Sequence, residues 1–157
     1  MAKTTTATRA LTYANVTFSL TTYNYEAGAE RVGLQAAEAM GVPPGIVFKT
    51  LMALVDGQPV CAIVPSDEEI NMKKLAAAFS GKSAQMMKPA DAERLTGYRV
   101  GGISPFGQKR RVPTVIEETA LLCDEIFING GQRGLQIKLR PADAIAAAGA
   151  KAADLIR

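Results

Sequence analysis

The pattern of apolar and polar positions is clearest between residues 46 and 64. Two apolar runs, IVFKTLMALV and VCAIV, flank the turn sequence AspGlyGlnPro. An Asp-Gly pair between β-branched runs predicts a hairpin, whose loop Gln58 and Pro59 are expected to lengthen. Both runs are apolar on both pleat faces. They are therefore predicted to be central strands of a sheet that is covered on both sides.

Helical spacing predicts elements on either side of this hairpin. The first fifteen residues are expected to form a short helix capped by one of the threonines. Four further stretches have helical spacing and either end at a glycine or begin with a proline: 29–40, 71–79, 89–95 and 141–148.

Short β-prone runs complete the pattern. They cover 18–23, 114–117, 125–128 and 135–139, while three glycines and a proline make 98–111 a loop. Some strands are joined by turns and others by helices. This mixture predicts an α/β or α+β fold with a mixed sheet. The whole chain, 1–157, is expected to be one domain.

Composition then removes whole classes of chemistry. The chain has no histidine, and 18 basic against 15 acidic side chains give a net charge of +3. Lack of histidine excludes Ser-His-Asp and Cys-His catalysis and histidine zinc sites. Cys61 and Cys123 lie in apolar runs and are expected to be buried hydrophobes. No metal, cofactor or membrane segment is expected, and the cytoplasm is the expected location.

Lys49 is the first candidate for a functional side chain. On its strand it shares a pleat face with Val47, Leu51 and Ala53, whereas Thr50 faces the other way. Burying an unpaired ammonium is costly, so Lys49 either extends to an edge or faces a cleft that holds an anion or a carbonyl. The sequence leaves both interpretations open.

Two glycine loops are the next candidates. Residues 101–108 read GGISPFGQ and residues 130–134 read GGQRG. Paired glycines allow close backbone approach and free N–H groups, Ser104 can donate a hydrogen bond, and Arg133 is available for a phosphate or carboxylate. Tight structural turns would explain the same residues. If the loops and Lys49 meet at one sheet edge, they would line a pocket for a polar ligand that is anionic or carries a carbonyl.

Four segments carry a resemblance to a known family. They are FKTL around Lys49, TGYRVGGISPFGQK from Thr96 to Lys109, the VPTVI that follows, and GGQRGL from Gly130. Together they resemble the YbaK/ProX aminoacyl-tRNA deacylases, most closely the YbaK-type Cys-tRNA(Pro) deacylases. The resemblance implies a single aminoacyl-tRNA editing domain with a mixed, barrel-like sheet surrounded by helices, as in the editing insertion of prolyl-tRNA synthetases.

The same resemblance implies roles for particular residues. Lys49 would hold the aminoacyl-tRNA end, with Thr50 following it and Tyr23 as a pocket wall. The first loop would hold the ester and ribose through its backbone at Gly101, Gly102, Ile103, Ser104 and Pro105. Gly131 matches the second loop.

Three positions depart from the YbaK-type pattern. Val32 stands in place of Phe, Asn129 in place of Ser, and Gln136 in place of Asp, and the resemblance implies that all three positions bind substrate. The smaller Val32 would loosen the amino-acid pocket. Loss of the acidic side chain would remove a possible partner for the substrate ammonium.

The activity implied by the resemblance is removal of cysteine from Cys-tRNA(Pro), in which the bound cysteine's own thiol attacks its ester. Such a reaction needs position more than a protein base, which agrees with the absence of histidine. The implied partners are tRNA(Pro) and, as a further candidate, prolyl-tRNA synthetase. Two alternatives remain open: an Ala-tRNA(Pro) deacylase that uses water, and a module that binds aminoacyl-tRNA or the synthetase without turnover.

Overall fold

The computed structural model describes residues 4–25 and 32–157, with Val32 described by its backbone alone. The helices are α1 (Thr6–Tyr13), α2 (Val32–Met40), α3 (Met72–Ala78), α4 (Pro89–Thr96) and α5 (Pro141–Ala148), with 3-10 turns at Pro44–Ile46 and Glu118–Leu122. The strands are β1 (Ser19–Thr22), β2 (Val47–Val55), β3 (Gln58–Pro65), β4 (Ala84–Met86), β5 (Thr114–Glu117), β6 (Ile126–Asn129), β7 (Leu135–Leu139) and β8 (Ala150–Ala153). The start of the helix predicted over 29–40 lies outside the described residues.

All of these strands belong to one mixed sheet. Its order is β1-β7-β6-β2-β3-β5-β8, with β4 beside β2. The β2·β6, β3·β5 and β5·β8 pairs are parallel and the others are antiparallel. This confirms the predicted mixed α/β architecture. A barrel-like closure is not confirmed, since β1 and β8 do not pair within the described part of the chain.

The central hairpin has a tighter turn than expected. Val55 pairs directly with Gln58, which leaves only Asp56 and Gly57 in the turn. Both turn residues have positive φ, +49° and +80°, which suits the twist of a two-residue hairpin. The expectation of a longer loop was wrong. Pro59 is tolerated within β3 because β5 pairs with β3 only from Cys61 onward, so no neighbouring strand in the described ranges needs its missing N–H.

Apolar side chains cover both faces of the sheet, as the sequence predicted. On one face, α1, α4, α5 and the glycine-rich segment pack over a large cluster that includes Leu11, Phe48, Phe106 and Ile128. On the other face, α3 packs over Val60, Val64 and their neighbours, and α2 over Val47 and Phe127. None of the helices in the described ranges could cross a membrane, by length and hydropathy.

Two strands and one turn of helix escaped prediction. β4 is three residues long and β8 reads AKAA, so neither has the β-branched alternation that marks a strand. Each exists because an open strand edge accepts it: β4 along Ala53–Val55 and β8 along Thr114–Glu117. The 3-10 turn at Glu118–Leu122 begins where the Glu117 carboxylate accepts a hydrogen bond from the Thr119 N–H at 2.7 Å.

Candidate functional site

One edge of β2 is shared by two strands that leave a gap between them. Pairing with β6 ends at Phe48 opposite Ile128, and pairing with β4 begins at Ala53 opposite Met86. Residues 49–51 therefore have no neighbouring strand on this side among the described residues. The sheet is interrupted at its centre, beside Lys49.

The Thr50 peptide faces this gap. Alternate residues of a strand direct their N–H and C=O groups to opposite sides. The Val47 carbonyl points toward the end of β3, where it accepts from the Ser66 N–H at 2.8 Å, and the Met52 carbonyl points away, where it accepts from the Met87 N–H at 3.0 Å. Thr50 is two residues before Met52, so its N–H and C=O point to the same side as those of Met52. This is the open side of β2.

A cavity of about 360 Å³ occupies this position. It is lined by Gly33, Leu34, Phe48, Lys49, Thr50, Leu51, Ser66, Val100, Gly101, Ile103, Asn129 and Gln136. The structure therefore brings together six of the residues singled out from the sequence: Lys49, Thr50, Gly101, Ile103, Asn129 and Gln136.

Asn129 connects the two glycine loops beside this cavity. Its Nδ2 donates to the Gly101 carbonyl at 3.2 Å, and its Oδ1 accepts from the Gly131 N–H at 2.7 Å and the Gln132 N–H at 3.3 Å. Asparagine is suited to this place because it carries a donor and an acceptor on one side chain. Gly131 does not line the cavity, but Asn129 couples its loop to Gly101.

Gly101 and Gly102 permit close contact between the loops and their neighbours. Gly101 has a φ of +92°, and a Cβ placed on it would lie 2.9 Å from the Tyr25 Oη. A Cβ on Gly102 would lie 2.9 Å from the backbone nitrogen of Arg133. Both positions therefore require glycine. The sequence predicted close approach to a ligand, and the structure shows close approach to protein atoms.

Three polar atoms in and beside the cavity wall are buried without a hydrogen-bond partner among the described residues. They are Tyr23 Oη, Thr50 Oγ1 and Gln136 Oε1. Burial raises the pKa of the Tyr23 phenol, and the nearby Gln136 side chain opposes this shift, although the two side chains form no hydrogen bond of regular geometry. Buried polar atoms are normally hydrogen-bonded, so these three are available for hydrogen bonds with a polar ligand.

The other residues named from the sequence lie next to the cavity or apart from it. Ser104 is fully buried; its Oγ accepts from the Phe106 N–H at 3.3 Å, and its carbonyl accepts from Gln108 Nε2 at 3.1 Å. Pro105 lines a different cavity, beside α1 and α5. The Val32 side chain falls outside what the structure describes. The hydrogen bonds of Ser104 with Phe106 and Gln108 therefore indicate that Ser104 stabilises the shape of the loop.

Both cysteines are free thiols, and neither belongs to the cavity wall. Cys61 is buried as expected, whereas Cys123 is only partly buried, so that expectation was wrong for Cys123. Burial raises the pKa of Cys61 to about 12 and raises that of Cys123 as well. Both shifts disfavour the thiolate, which is the nucleophilic form. No group of three or more metal-binding side chains occurs within the described ranges. What the cavity does present is a lysine, backbone hydrogen-bonding groups and unpaired polar atoms.

Sequence reasoning missed the contact between Gly33 and Ser66 at the cavity. A Cβ on Gly33 would lie 2.1 Å from the Ser66 Oγ, so α2 crosses close to the end of β3. The Ser66 hydroxyl is itself held, because it donates to the Val47 carbonyl at 2.5 Å. A glycine inside a helical pattern was the available signal, since such glycines often mark close packing.

Fold and site together define a small mixed α/β domain whose cavity opens where a lysine-bearing strand meets two glycine loops. A model of the family described as "Aminoacyl-tRNA editing domain" matches residues 29–147, more than half of the chain. The chain therefore belongs to the aminoacyl-tRNA editing domain family, as its motifs indicated.

Individual relatives agree with this assignment. The protein named "Putative Cys-tRNA(Pro)/Cys-tRNA(Cys) deacylase EbsC" from Enterococcus faecalis is 41% identical over 106 residues, covering 67% of this chain and 65% of that protein. A proline–tRNA ligase from Nitratidesulfovibrio vulgaris is 35% identical over 94 residues, which is 60% of this chain but 16% of the ligase. The chain thus spans less than two thirds of the length of either relative.

A solved structure supports the fold. The crystal structure of a "putative trans-editing enzyme for prolyl tRNA synthetase" superposes with a TM-score of 0.81 over 99% of both chains, at 22% sequence identity. This likeness confirms the predicted architecture of the domain.

Proposed function

We propose that this protein is an aminoacyl-tRNA deacylase that clears mischarged tRNA(Pro), with Cys-tRNA(Pro) as its substrate. Family membership and the name of the Enterococcus relative support the reaction class, and the match to proline–tRNA ligases supports the tRNA. The observation that carries the proposal is the cavity in the sheet gap, where Lys49, the Thr50 peptide and the Gly101 loop meet.

Each group in the cavity has a role in this proposal. The Lys49 ammonium holds the aminoacyl end of the tRNA. Gly101 and its neighbours hold the ester and the ribose through backbone groups. Gln136 Oε1 and Thr50 Oγ1, which lack partners among the described residues, accept hydrogen bonds from the substrate's amino group.

The proposed chemistry uses the substrate's own thiol. The cysteine sulfur attacks its ester carbonyl, a carbon–sulfur bond forms, and the bond to the ribose oxygen breaks. The thiol proton passes to the ribose oxygen, which leaves as the hydroxyl of free tRNA, and the cysteine leaves as a cyclic thioester. The protein's part is to hold thiol and carbonyl in contact and to place hydrogen-bond donors at the developing oxyanion.

This mechanism predicts how the rate depends on pH. The chain has no histidine, and burial raises the pKa of Tyr23 above its usual value. A substrate thiol has a pKa of about 8.5, and its thiolate is the stronger nucleophile. Single-turnover deacylation of Cys-tRNA(Pro) should therefore rise between pH 7 and 9, after correction for spontaneous ester hydrolysis. A rate that stays flat over this range would contradict attack by the substrate thiol.

The test is deacylation of Cys-tRNA(Pro) and Ala-tRNA(Pro) in parallel by the wild-type protein and by Lys49→Ala. Lys74→Ala is the matched control, because that lysine pairs with Asp154 at 2.9 Å and lies outside the cavity. We expect wild type and Lys74→Ala to deacylate Cys-tRNA(Pro) and Lys49→Ala to lose this activity while keeping its fold.

Other results would redirect the proposal. Cleavage of the alanyl ester alone would favour a deacylase that uses water. Survival of both esters with wild type would favour a binding module, and undiminished activity in Lys49→Ala would overturn the site.

Because the domain is small, we propose that prolyl-tRNA synthetase contributes to tRNA selection in the cytoplasm. Copurification of the two proteins with tRNA(Pro) would test this partner.

A further inference from the structure

An arginine and a tyrosine stack on each other beside the cavity. The Arg133 guanidinium carbon lies 5.2 Å from the centre of the Tyr25 ring. The Arg133 Nε donates to the Val100 carbonyl at 2.9 Å. Neither side chain lines the cavity, but both contact Gly101, which does. Arg133 is exposed, so the pair marks the mouth of the cavity.

The stack fixes the orientation of a cation. An exposed arginine normally loses side-chain entropy when it binds a ligand, and this cost is smaller when the guanidinium is already held. Here the ring holds its plane and the Val100 carbonyl holds one N–H. A guanidinium has five N–H donors, so the four at its outer nitrogens remain directed away from that contact. Two parallel N–H groups of this kind match the oxygens of a phosphate.

Arg133 belongs to the second glycine loop, and the packing of this loop places it beside the cavity. A Cβ on Gly134 would lie 2.7 Å from the Tyr23 carbonyl, so the loop packs directly on the segment that leads from β1 to Tyr25. Asn129 connects the same loop to Gly101. Arg133 is therefore held to the cavity mouth from both sides.

We propose that Arg133 binds the phosphodiester next to the terminal nucleoside of the aminoacyl-tRNA, with Tyr25 and the Val100 carbonyl holding it in place. This inference rests on the proposed function. With the ester in the cavity, the polynucleotide must leave through the mouth, and a phosphodiester is the first anionic group along it. Arg133 is thus a substrate-binding residue that takes no part in bond cleavage.

The test compares substrates with and without phosphate. Arg133→Ala should raise the KM for Cys-tRNA(Pro) by roughly tenfold, the usual size for a lost charged hydrogen bond, and leave kcat unchanged. It should leave cleavage of cysteinyl-adenosine, which has no phosphate, unchanged. Arg133→Lys should recover part of the loss, because the charge remains but the paired donors do not.

The matched control is Lys151→Ala. This residue forms another cation–aromatic pair, with its Nζ 5.5 Å from the centre of the Phe79 ring, and it lies on β8 at the far edge of the sheet. Its loss should leave both substrates unaffected. Equal losses by Arg133→Ala on both substrates would show that Arg133 shapes the cavity, and an unchanged KM for Cys-tRNA(Pro) would show that it binds no phosphate. Either result overturns the proposal.

A binding measurement separates this proposal from the proposed function. Binding of uncharged tRNA(Pro) at several salt concentrations needs no turnover, and each phosphate contact to a single-stranded end contributes about 0.7 to the slope of log K against log salt. Arg133→Ala should reduce the slope by about that amount. If wild type cleaves neither ester, the proposed function fails, while a reduced slope still supports the Arg133 contact and an unchanged slope refutes it.

Discussion

The Asn129 side chain determines how the two glycine loops lie relative to each other at this site. The family resemblance suggested a residue that touches substrate, and the structure shows one whose amide holds two glycine loops in register through three hydrogen bonds. The sequence could not show this, because Gly101 and Gly131 become neighbours only through the fold. It could show two glycine loops, of which the second follows a strand, and this was enough to propose one pocket.

Gly101 offers a sharp test at the residue scale. In Gly101→Ala the new Cβ would meet the Tyr25 Oη and the backbone would keep a φ of +92°, so the loop must move. We expect loss of deacylation together with a destabilisation of about 1–3 kcal/mol, from strain and contact. Activity assays and urea unfolding would measure the two effects.

The matched control for this variant is Gly57→Ala. Gly57 has a φ of +80°, but no atom of the described residues lies within 4 Å of its potential Cβ, and it lies in the distant hairpin turn. It should lose stability and keep its activity. If both variants lose activity alike, global destabilisation explains the effect and the Gly101 contact does not.

At the scale of elements, the sequence predicted the helices and strands whose turn or capping residues lie within the element itself. The β2–β3 hairpin and the helices that begin at Pro89 and Pro141 carry their own turn or capping residues, and all are present. β4 and β8 carry no such signal, since partner strands define them. The predicted coverage of both sheet faces was confirmed because a run such as VCAIV is stable only when both faces are buried.

Helix α1 is tied to the second glycine loop by its cap. Thr5 Oγ1 accepts from the Thr8 N–H at 3.1 Å and donates to the Gly130 carbonyl at 2.5 Å. Thr5→Ala should reduce the free energy of unfolding by about 1–2 kcal/mol, as losses of such caps do. Thr5→Ser keeps the hydroxyl and should stay near wild type in urea unfolding. Equal stability of the alanine variant would show that the cap contributes nothing measurable.

At the scale of the whole molecule, the hairpin turn is anchored to a distant segment. The Asp56 carboxylate accepts hydrogen bonds from the Lys82 N–H and the Ser83 N–H, both at 3.0 Å, which fixes the approach to β4. These backbone N–H groups lower the pKa of Asp56 from its ordinary value of 3.8. The folded state therefore favours the ionised form of this carboxyl.

The sign of this shift predicts the acid stability of the fold. Because the folded pKa is the lower one, the contribution of Asp56 is complete above the ordinary value of 3.8 and disappears as the pH falls through the folded value. Asp56→Asn suits the positive φ of the turn and does not titrate. Urea unfolding from pH 6 to pH 2.5 should show a smaller loss of stability for the variant than for wild type, and parallel curves would contradict the prediction.

The cavity itself belongs to this larger scale. Lys49 and the glycine loops could be named from the sequence, but the gap depends on which strands flank β2, and β4 carried no strand signal. Tyr25 gave no signal either, because its importance comes from its contacts with Gly101 and Arg133.

Because the sheet is interrupted beside Lys49, hydrogen exchange in the central strand β2 should show whether a ligand occupies the gap. A backbone amide in the middle of a sheet ordinarily exchanges its hydrogen with solvent very slowly, whereas no strand of the described residues protects the Thr50 N–H on the open side. Its exchange should be much faster than that of Leu51, whose N–H points toward β3. A molecule seated in the gap would slow exchange at Thr50 and leave Leu51 unchanged. Residue-resolved exchange would thus detect substrate analogues without any assay of turnover.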